Sequence, residues 1–532
     1  MFDPLATTSV VVAPAESRAV AMPETARHAA APSTRPVARK YISAKYDSAA
    51  TTPENKRHWQ WADGLSARAA NSPEVRTTLR NRSRYETANN SYARGIVLTL
   101  ANDLIGTGPR LQLLTKDVEV NRRIEAAFQA WAVKVKLAKK LRTMRQSKIV
   151  DGESFMVLDT DPDLGDVQLD LRLYEADQVS DPPSSASTKS SSDSVDGIVL
   201  NDVGKPEEYH LLRNHPGDGT SADAGFERIP AQYVIHWFRE DRPGQYRGVP
   251  ELTPALPLFA ILRRFTLATL TAAETAANIA AVMESDLPPD DDEEAGNVPF
   301  DQIDIERNMM MTLPTGWKMN QFKSEHPATS YAMFKHEILD EAAMAILLPH
   351  GVGTGDMSDY NYSSGRLAHQ IYHRCLGVDQ SELESEALDR IFMEWLAEAA
   401  RTTDLIPGGK AGLNREGGWP HCWLWQALAH VDPEKEANAQ ETLLRNGMTT
   451  FSDECQAAGA DPEQQVQIMA ADLALFKKYG ITPPAWAVPA PPKTQDPSPA
   501  PGDGPNADPN AQGIGHSNGH ALEGLVRRNG FH

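Results

Sequence analysis

Cysteine is scarce in this sequence: three residues in 532, Cys375, Cys422 and Cys455. They lie far apart and form no CxxC pair, so neither a disulfide framework nor a zinc ribbon is expected, and a reducing cytoplasm suits them. No apolar run reaches the roughly 18 residues a membrane-spanning helix needs, so no membrane partner is expected. The apolar patch at residues 10–13 is short and has no basic start, which argues against a signal peptide. Positive charge is also in deficit, with 52 Lys and Arg against 72 Asp and Glu, a net charge of −20 and a pI of about 5.2. A protein that grips DNA phosphates shows a basic face, and this composition advertises none. An acidic wall is compatible with DNA that must slide without sticking.

Catalytic signatures are missing too. Gly351-Val352-Gly353-Thr354-Gly355 resembles a phosphate loop only superficially. It lacks the Lys-Ser/Thr ending and follows a helix rather than a strand. His369 and His373 are four apart near Cys375, but no HExxH glutamate stands between them, so surface or interface histidines are the better reading. No GxSxG elbow occurs. The acidic run 286–294 lacks the alternating ligands and the glycine of a calcium loop. Asp356 and Asp359 read as loop-turn residues that favour a helix N-terminus. The expectation is therefore no catalytic residue, no metal, no cofactor and no enzymatic activity.

What is present is a long succession of helices around a β-rich middle, an α+β chain. Residues 1–50 are rich in Ala, Pro, Ser and Thr and read as a disordered arm. Helical patterning follows, with Pro73 in a first turn, a stretch over 79–104 carrying Arg80, Arg82, Arg84 and Arg94, and a helix over 121–137. The basic residues Lys134, Lys136, Lys139, Lys140, Arg142 and Arg145 read as a solvated helix face ahead of a partner site, with DNA contact last. Asp151-Gly152-Glu153 is a turn. Strands are expected at 154–158, 169–174, 208–212 and 233–238. A long helix over 255–283 turns small and Ala-rich in its second half, which suits close packing against copies of itself or a second helix. A β-hairpin is expected from 309–313 and 316–322 around Pro314-Thr315-Gly316.

The chain is organised around residues 328–377. Tyr331, Phe334, Ile338, Ala342, Ala345 and Ile346 recur at three- and four-residue steps, one apolar stripe of a helix. Pro349, Gly351, Gly353 and Gly355 end that helix in a Gly-rich loop. Ser363 or Ser364 then caps a second helix. Further helices are expected over 377–401, from Val431-Asp432-Pro433 to Asn446-Gly447, and over 462–479, with an aromatic core segment at 419–425. From 482 the chain is Pro-, Gly- and Asp-rich and reads as a disordered tail.

The ordered word Gly355-Asp356-Met357-Ser358-Asp359-Tyr360-Asn361-Tyr362-Ser363-Ser364-Gly365-Arg366 resembles the portal proteins of lambda-like tailed phages. So do Arg242-Pro243-Gly244-Gln245-Tyr246-Arg247-Gly248-Val249-Pro250, the "RSR…NN-x-YA-x-G…G-T-G" order over 82–108 and the "VDP-x-KEA" word at 431–437. Gly365 stands where alanine is commoner in that family and weakens the helix start by up to about 1 kcal/mol.

The resemblance implies a dodecameric ring at one capsid vertex. Its channel would carry double-stranded DNA during packaging and ejection. Implied partners are further copies of the chain, double-stranded DNA, the terminase large subunit, the major capsid and scaffold proteins and the head-completion or tail adaptor proteins. The implied location is the portal vertex of the virion, after assembly in the host cytoplasm. The implied organisation is an α/β wing over 51–254, stem helices over 255–283 and 328–348, and a small β-containing clip over 284–327. A tunnel loop over 349–362, wing and crown helices over 363–418 and a helical crown over 419–481 complete it. In this reading Gly351, Gly353, Gly355, Asp356, Ser358, Asn361 and Tyr362 face the DNA channel, the glycines giving the loop freedom to shift. Arg80, Arg84, Arg94, Arg247 and Arg366 are candidates for the subunit interface. The rivals are a phosphate-handling hydrolase using the Gly-rich loop, and a capsid or adaptor ring with no DNA duty.

Overall fold

The computed structural model describes residues 52–53, 56–181, 194–218, 225–278, 282–285, 317–320, 329–414, 417–427 and 433–483. The chain divides after Ser66 into two units. In the first, the described residues form an exposed turn in which the Ala62 N–H donates to the Trp59 carbonyl at 3.1 Å. The second unit holds every element named below. The expected arm over 1–50, the acidic run 286–294, the strand at 309–313 and most of the tail beyond 482 lie outside the described residues.

Helix α1 (Ala67–Ala70) is a single turn, and α2 (Pro73–Asn89) begins with Ser72 as its cap. The stretch read as one segment over 79–104 is two helices. Asn90 takes an extended backbone, and its side-chain oxygen accepts the N–H groups of Tyr92 and Ala93. An asparagine offers the backbone this local alternative to helix, and α3 (Ser91–Ile105) starts anew from it. Strand β1 (Arg110–Leu113) leads to α4 (Val118–Lys134) and α5 (Leu137–Asp151), separated by Lys136 in the left-handed conformation.

The β-rich middle is where the alternation placed it. Strands β2 (Glu153–Thr160) and β3 (Leu169–Tyr174) come first, followed by β4 (Ser194–Val195), β5 (Ile198–Leu200), β6 (Pro206–Leu212), β7 (Phe226–Pro230) and β8 (Val234–Phe238). They form two antiparallel sheets of order β3-β2-β8 and β4-β5-β6-β7. Alternate residues of a strand face opposite sides, and β2 uses both. Phe155 and Val157 join Ile198, Tyr209, Leu211 and Val234 in a small core. Met156 and Leu158 point the other way into the main core. Burial on both faces is why β2 reads as a nearly unbroken apolar run.

Helix α6 (Leu256–Asn278) and α7 (Thr329–Met344) pack together, Leu262 with Ile338 and Leu339, and the Phe265 ring 4.8 Å from that of Phe334. Between them in the chain, β9 (Val282–Ser285) pairs antiparallel with β10 (Trp317–Asn320). One expectation is corrected: residues 282 and 283, read as the end of the long helix, belong to a strand, which pairs with 317–320. The first turns of α6 are core, with Leu256, Phe259 and Leu262 buried, whereas Ile261, Leu267 and Leu270 are exposed. By length and composition the stretch 253–274 is apolar enough to cross a membrane, although no unbroken apolar run marks it. Its anchored first turns and the Arg263–Glu86 ion pair at 2.8 Å suit a helix rooted in a protein core.

After α7, one helical turn α8 (His350–Thr354) precedes α9 (Tyr362–Leu383), which runs through a widened turn at residues 384–388 into α10 (Asp389–Thr402). Then come α11 (Lys410–Leu413), β11 (His421–Leu424), α12 (Pro433–Arg445), α13 (Phe451–Ala457) and α14 (Pro462–Tyr479). Strand β11 pairs with β1, setting Trp423 opposite Leu111. Phe128, Trp131, Phe392, Trp395 and Trp423 gather around one point of the main core, with Phe128 edge-on to Trp395 at 5.3 Å.

One ion network joins the helices to both sheets. Glu153, fully buried at the start of β2, accepts from Arg247 at 2.7–3.0 Å, from Arg80 at 3.1 Å and from the Gly248 N–H at 3.0 Å. Arg80 also holds Asp177 at 2.5 Å, and Arg84 bridges Asp151 and Asp177 at 2.6 and 2.7 Å. A short-range reason lies beneath. Gly152 (φ 90°) and Gly248 stand back to back; a Cβ on Gly248 would collide with the Gly152 carbonyl oxygen, and one on Gly152 with the Val249 carbonyl carbon. The glycine in the Arg-Gly-Val-Pro word is therefore a contact requirement.

Burial alone would raise the Glu153 pKa, but Arg247 and the hydrogen bonds from His236 and Arg247 hold it well below the carboxylate range. Burial also depresses His236, against the pull of Glu153. Both folded values lie below their unfolded ones, so both contributions are complete above the unfolded values and are lost as pH falls. The unfolding midpoint in urea should start to drop below about pH 6.5 and fall steeply below about pH 4.3. Glu153→Gln should cost about 3–5 kcal/mol at neutral pH by leaving buried guanidinium groups uncompensated. An unfolding midpoint equal to that of the unsubstituted chain would refute the central role of Glu153.

Candidate functional site

The segment joining α7 to α9 combines tight packing with an exposed tip. Helix α7 stops because Leu347 enters the left-handed region (φ 56°) and the Leu348 N–H reaches back to the Ala343 carbonyl at 3.0 Å. Pro349 then opens α8, and Gly355 (φ 76°) closes it, its N–H donating to the Gly351 carbonyl at 2.9 Å.

The glycines differ in role, which corrects the picture of a freely moving loop. Gly351 and Gly353 are buried in a helical turn. A Cβ on Gly351 would collide with Met357 Sδ and lie 2.7 Å from the Tyr360 ring; one on Gly353 would press Leu348 at 3.2 Å. Of the three, only Gly355 has open space around it and a backbone conformation that favours glycine. The exposed part is Gly355 to Asp359, with Asn361 and Tyr362 beyond the half-buried Tyr360.

The tip is internally ordered. The Ser358 N–H donates to Asp356 Oδ1 at 3.0 Å, and hydrogen bonds from Ser358 hold the Asp356 pKa below the usual carboxylate range. Asn361, rather than Ser363 or Ser364, caps α9. Its Oδ1 accepts the Ser364 N–H at 2.9 Å while Ser364 Oγ accepts the Asn361 N–H at 3.0 Å, a reciprocal cap. That box gives a regular helix start despite Gly365, whose Cβ position has only ordinary contacts with Tyr360. Tyr362 lies under Lys435, whose Nζ is 4.9 Å from the ring, and Arg366 approaches Glu436 at 3.8 Å. The tip thus presents Asp356 and Asp359, the latter 2.8 Å from His336. Two carboxylates beside the glycines repel an anion, so this segment is a poor phosphate cradle.

The five arginines separate into two groups. Arg80 and Arg247 are buried in the Glu153 network, and Arg84 is tied to Asp151 and Asp177. Arg80 and Arg247 are thereby committed to the chain's own interior, whereas Arg84 stays half-buried. Arg94 and Arg366 are exposed. The basic stretch after residue 134 is likewise not one solvated face. Arg145 is buried against Glu251 at 2.8 Å, and Lys140 pairs with Asp170 at 2.6 Å. Lys148, which the sequence patterning did not single out, is also buried, 3.2 Å from Glu382 and 4.3 Å above the Trp237 ring. The rings of His369 and His373 are 5.8 Å apart, and neither belongs to a group of metal-ligating side chains among the described residues.

A sequence model of the family described as "Phage portal protein, lambda family" matches residues 53–380. A probable portal protein of Halomonas phage phiHAP-1 is 26% identical over 302 residues, covering 54% of this chain and 56% of that protein. Portal protein B of Escherichia phage lambda is 22% identical over 183 residues, covering 34% of each. The portal protein of Escherichia phage N15 is 21% identical over 330 residues, covering 55% of this chain and 61% of that one. The chain therefore spans between about a third and three fifths of the curated relatives it matches. Among solved structures, a chain from "Neck of empty GTA particle computed with C6 symmetry" aligns at a TM-score of 0.43 and 13% identity, covering 74% of this chain and 95% of that one. One from "Neck of native GTA particle computed with C12 symmetry" aligns at 0.40 and 12%, with the same coverage.

The packing generates a graded expectation. Gly351→Ala must displace Met357 and Tyr360 and should lower stability by about 1–3 kcal/mol. Gly355→Asn, at an open left-handed position that asparagine tolerates, should change it by less than about 0.5 kcal/mol. Thermal unfolding of the two variants side by side checks this, and equal losses would contradict the packed assignment.

Proposed function

Because the chain belongs to the lambda family of phage portal proteins, we propose that it assembles as a dodecameric ring at one capsid vertex, and that DNA is packaged and ejected through the ring's centre. That family is a structural capsid component rather than an enzyme family. In this reading α6 and α7 are the stem, the β9–β10 pair begins the clip, residues 51–254 form the wing and the helices after residue 419 the crown. The terminase large subunit, major capsid and scaffold proteins and tail adaptors dock on surfaces of the ring.

The observation that carries the reading is the state of the α6–α7 pair. Its inner faces pack on each other, yet Ile261, Leu267, Leu270, Met333, Phe334 and Met344 remain exposed. Apolar area left in water costs about 25 cal/mol per Å² relative to burial, and large apolar side chains exposed along one helix pair suit an interaction surface. Neighbouring copies standing side by side round an opening would cover it. The acidic tip Asp356–Asp359 at the base of the stem suits a channel surface that DNA passes without adhering. The hydrolase reading loses support at the same tip, where carboxylates stand in the place of phosphate-binding cations.

Negative-stain images of the purified full chain should show twelve-fold rings with a central opening wide enough for duplex DNA. Small compact particles that bind nucleotide would favour the hydrolase. Replacing residues 355–360 by a shorter linker, with the packed turn 350–354 kept, should leave rings intact and stop terminase-driven packaging. Normal packaging by such rings would remove the tip from the mechanism and favour a ring without DNA duty.

A further inference from the structure

The base of α7 gathers side chains whose chemistry the portal reading leaves unused. His336 and Asp340 are one turn apart on the same face of α7. The left-handed turn at Leu347 and then Pro349 bring His350, the first residue of α8, back against them. The two imidazole centroids are 4.0 Å apart. One nitrogen from each histidine and one oxygen of Asp340 lie within 4.8 Å of one another.

We propose that His336, Asp340 and His350 bind a divalent transition-metal ion, zinc by preference, which pins the Gly-rich segment to the base of α7. Asp340 Oδ1 is 2.6 Å from His350 Nδ1, and Oδ2 is 3.8 Å from His336 Nδ1. Four-coordinate zinc with bonds of about 2.0–2.1 Å holds neighbouring ligand atoms about 3.3 Å apart. These separations involve the two different oxygens of Asp340, so a rotation of its carboxylate is what sets one oxygen near that spacing from both rings. The other nitrogen of His336, Nε2, faces Asp359 at 2.8 Å. A carboxylate behind a ligating histidine fixes the tautomer and strengthens the ligand, the usual arrangement around bound zinc. Two imidazoles and one carboxylate favour zinc or a similar transition metal over magnesium or calcium, which prefer oxygen-only shells.

The surroundings agree. A cavity of about 570 Å³ lined by Met344, Leu348 and Tyr360 opens onto these residues. Asp340 and Asp359 pair only with histidines among the described residues. The comparable group Glu175, Asp177 and His215 differs in the decisive respect. Its carboxylates are already neutralised by Arg80 and Arg84, so a cation gains little there. His350 and Asp359 flank the packed glycines, so an ion here would fasten both sides of the segment to one helix. The site lies within one chain and stands whether or not the chain forms a ring.

The test uses the full chain, stripped with EDTA and titrated with CoCl2 and then ZnCl2. One cobalt per chain with a visible absorption band, displaced by one zinc per chain, is the expected result. The His336→Ala/His350→Ala double variant should lose the band. Asp359→Asn, at an exposed position that leaves the fold intact, should weaken zinc about 10–100-fold. Zinc should also slow proteolysis between Gly355 and Asn361 in the unsubstituted chain. Failure of the unsubstituted chain to bind cobalt or zinc overturns the proposal, as does undiminished binding by the double variant; either result leaves the histidines as simple ion-pair neighbours of the aspartates.

Discussion

The buried carboxylate of Glu153 is the constraint on which the second unit depends. Two guanidinium groups from distant parts of the chain, Arg80 and Arg247, converge on it. Each buried charge would be costly alone, so the helix carrying Arg80, the strand carrying Glu153 and the connector carrying Arg247 must meet in one geometry. The connector can come that close only because Gly152 and Gly248 lack side chains. That meeting point also sets the direction in which α6 leaves, because Glu251, shortly after Gly248, is held by Arg145 at 2.8 Å.

From that root the chain extends a helix pair whose character changes along its length. Near the core, Leu256, Phe259, Leu262, Ile338, Leu339, Ala342 and Ala343 are buried. Farther out, Leu267 and Leu270 are left in solvent, with Phe265 against both Tyr331 and Phe334 across the pair. A monomer gains nothing from such exposure, whereas a side-by-side assembly does. The segment after α7 is stiff where it meets the core, at Gly351 and Gly353, and open only at its tip. Freedom in the proposed channel surface is thus confined to a few residues hung on a rigid turn.

Much of this order was legible in the sequence. Period-two alternation placed β3 over residues 169–174, and the helix expected over 462–479 is α14. Gln245, Arg247 and Gly248 stood out as parts of one word, but the reason for that word did not. Arg80, Arg84 and Arg247 read as subunit-interface candidates because most arginines are exposed, and nothing local announces a partner 73 or 94 residues away. Gly351 and Gly353 read as flexible for a similar reason: glycine serves both freedom and close approach, and only the positions of Met357, Tyr360 and Leu348 separate the two.

The sequence by itself determined the α+β class, the helix–glycine–helix core at 328–377 and the family, because these rest on short-range periodicity and on contiguous words. Tertiary structure decided which charges are internal, that β9 is the strand beside β10, and that His336, Asp340 and His350 stand together. Those facts depend on contacts between residues far apart in the chain, and such contacts are set by packing around a shared core rather than by the chemistry of any one stretch.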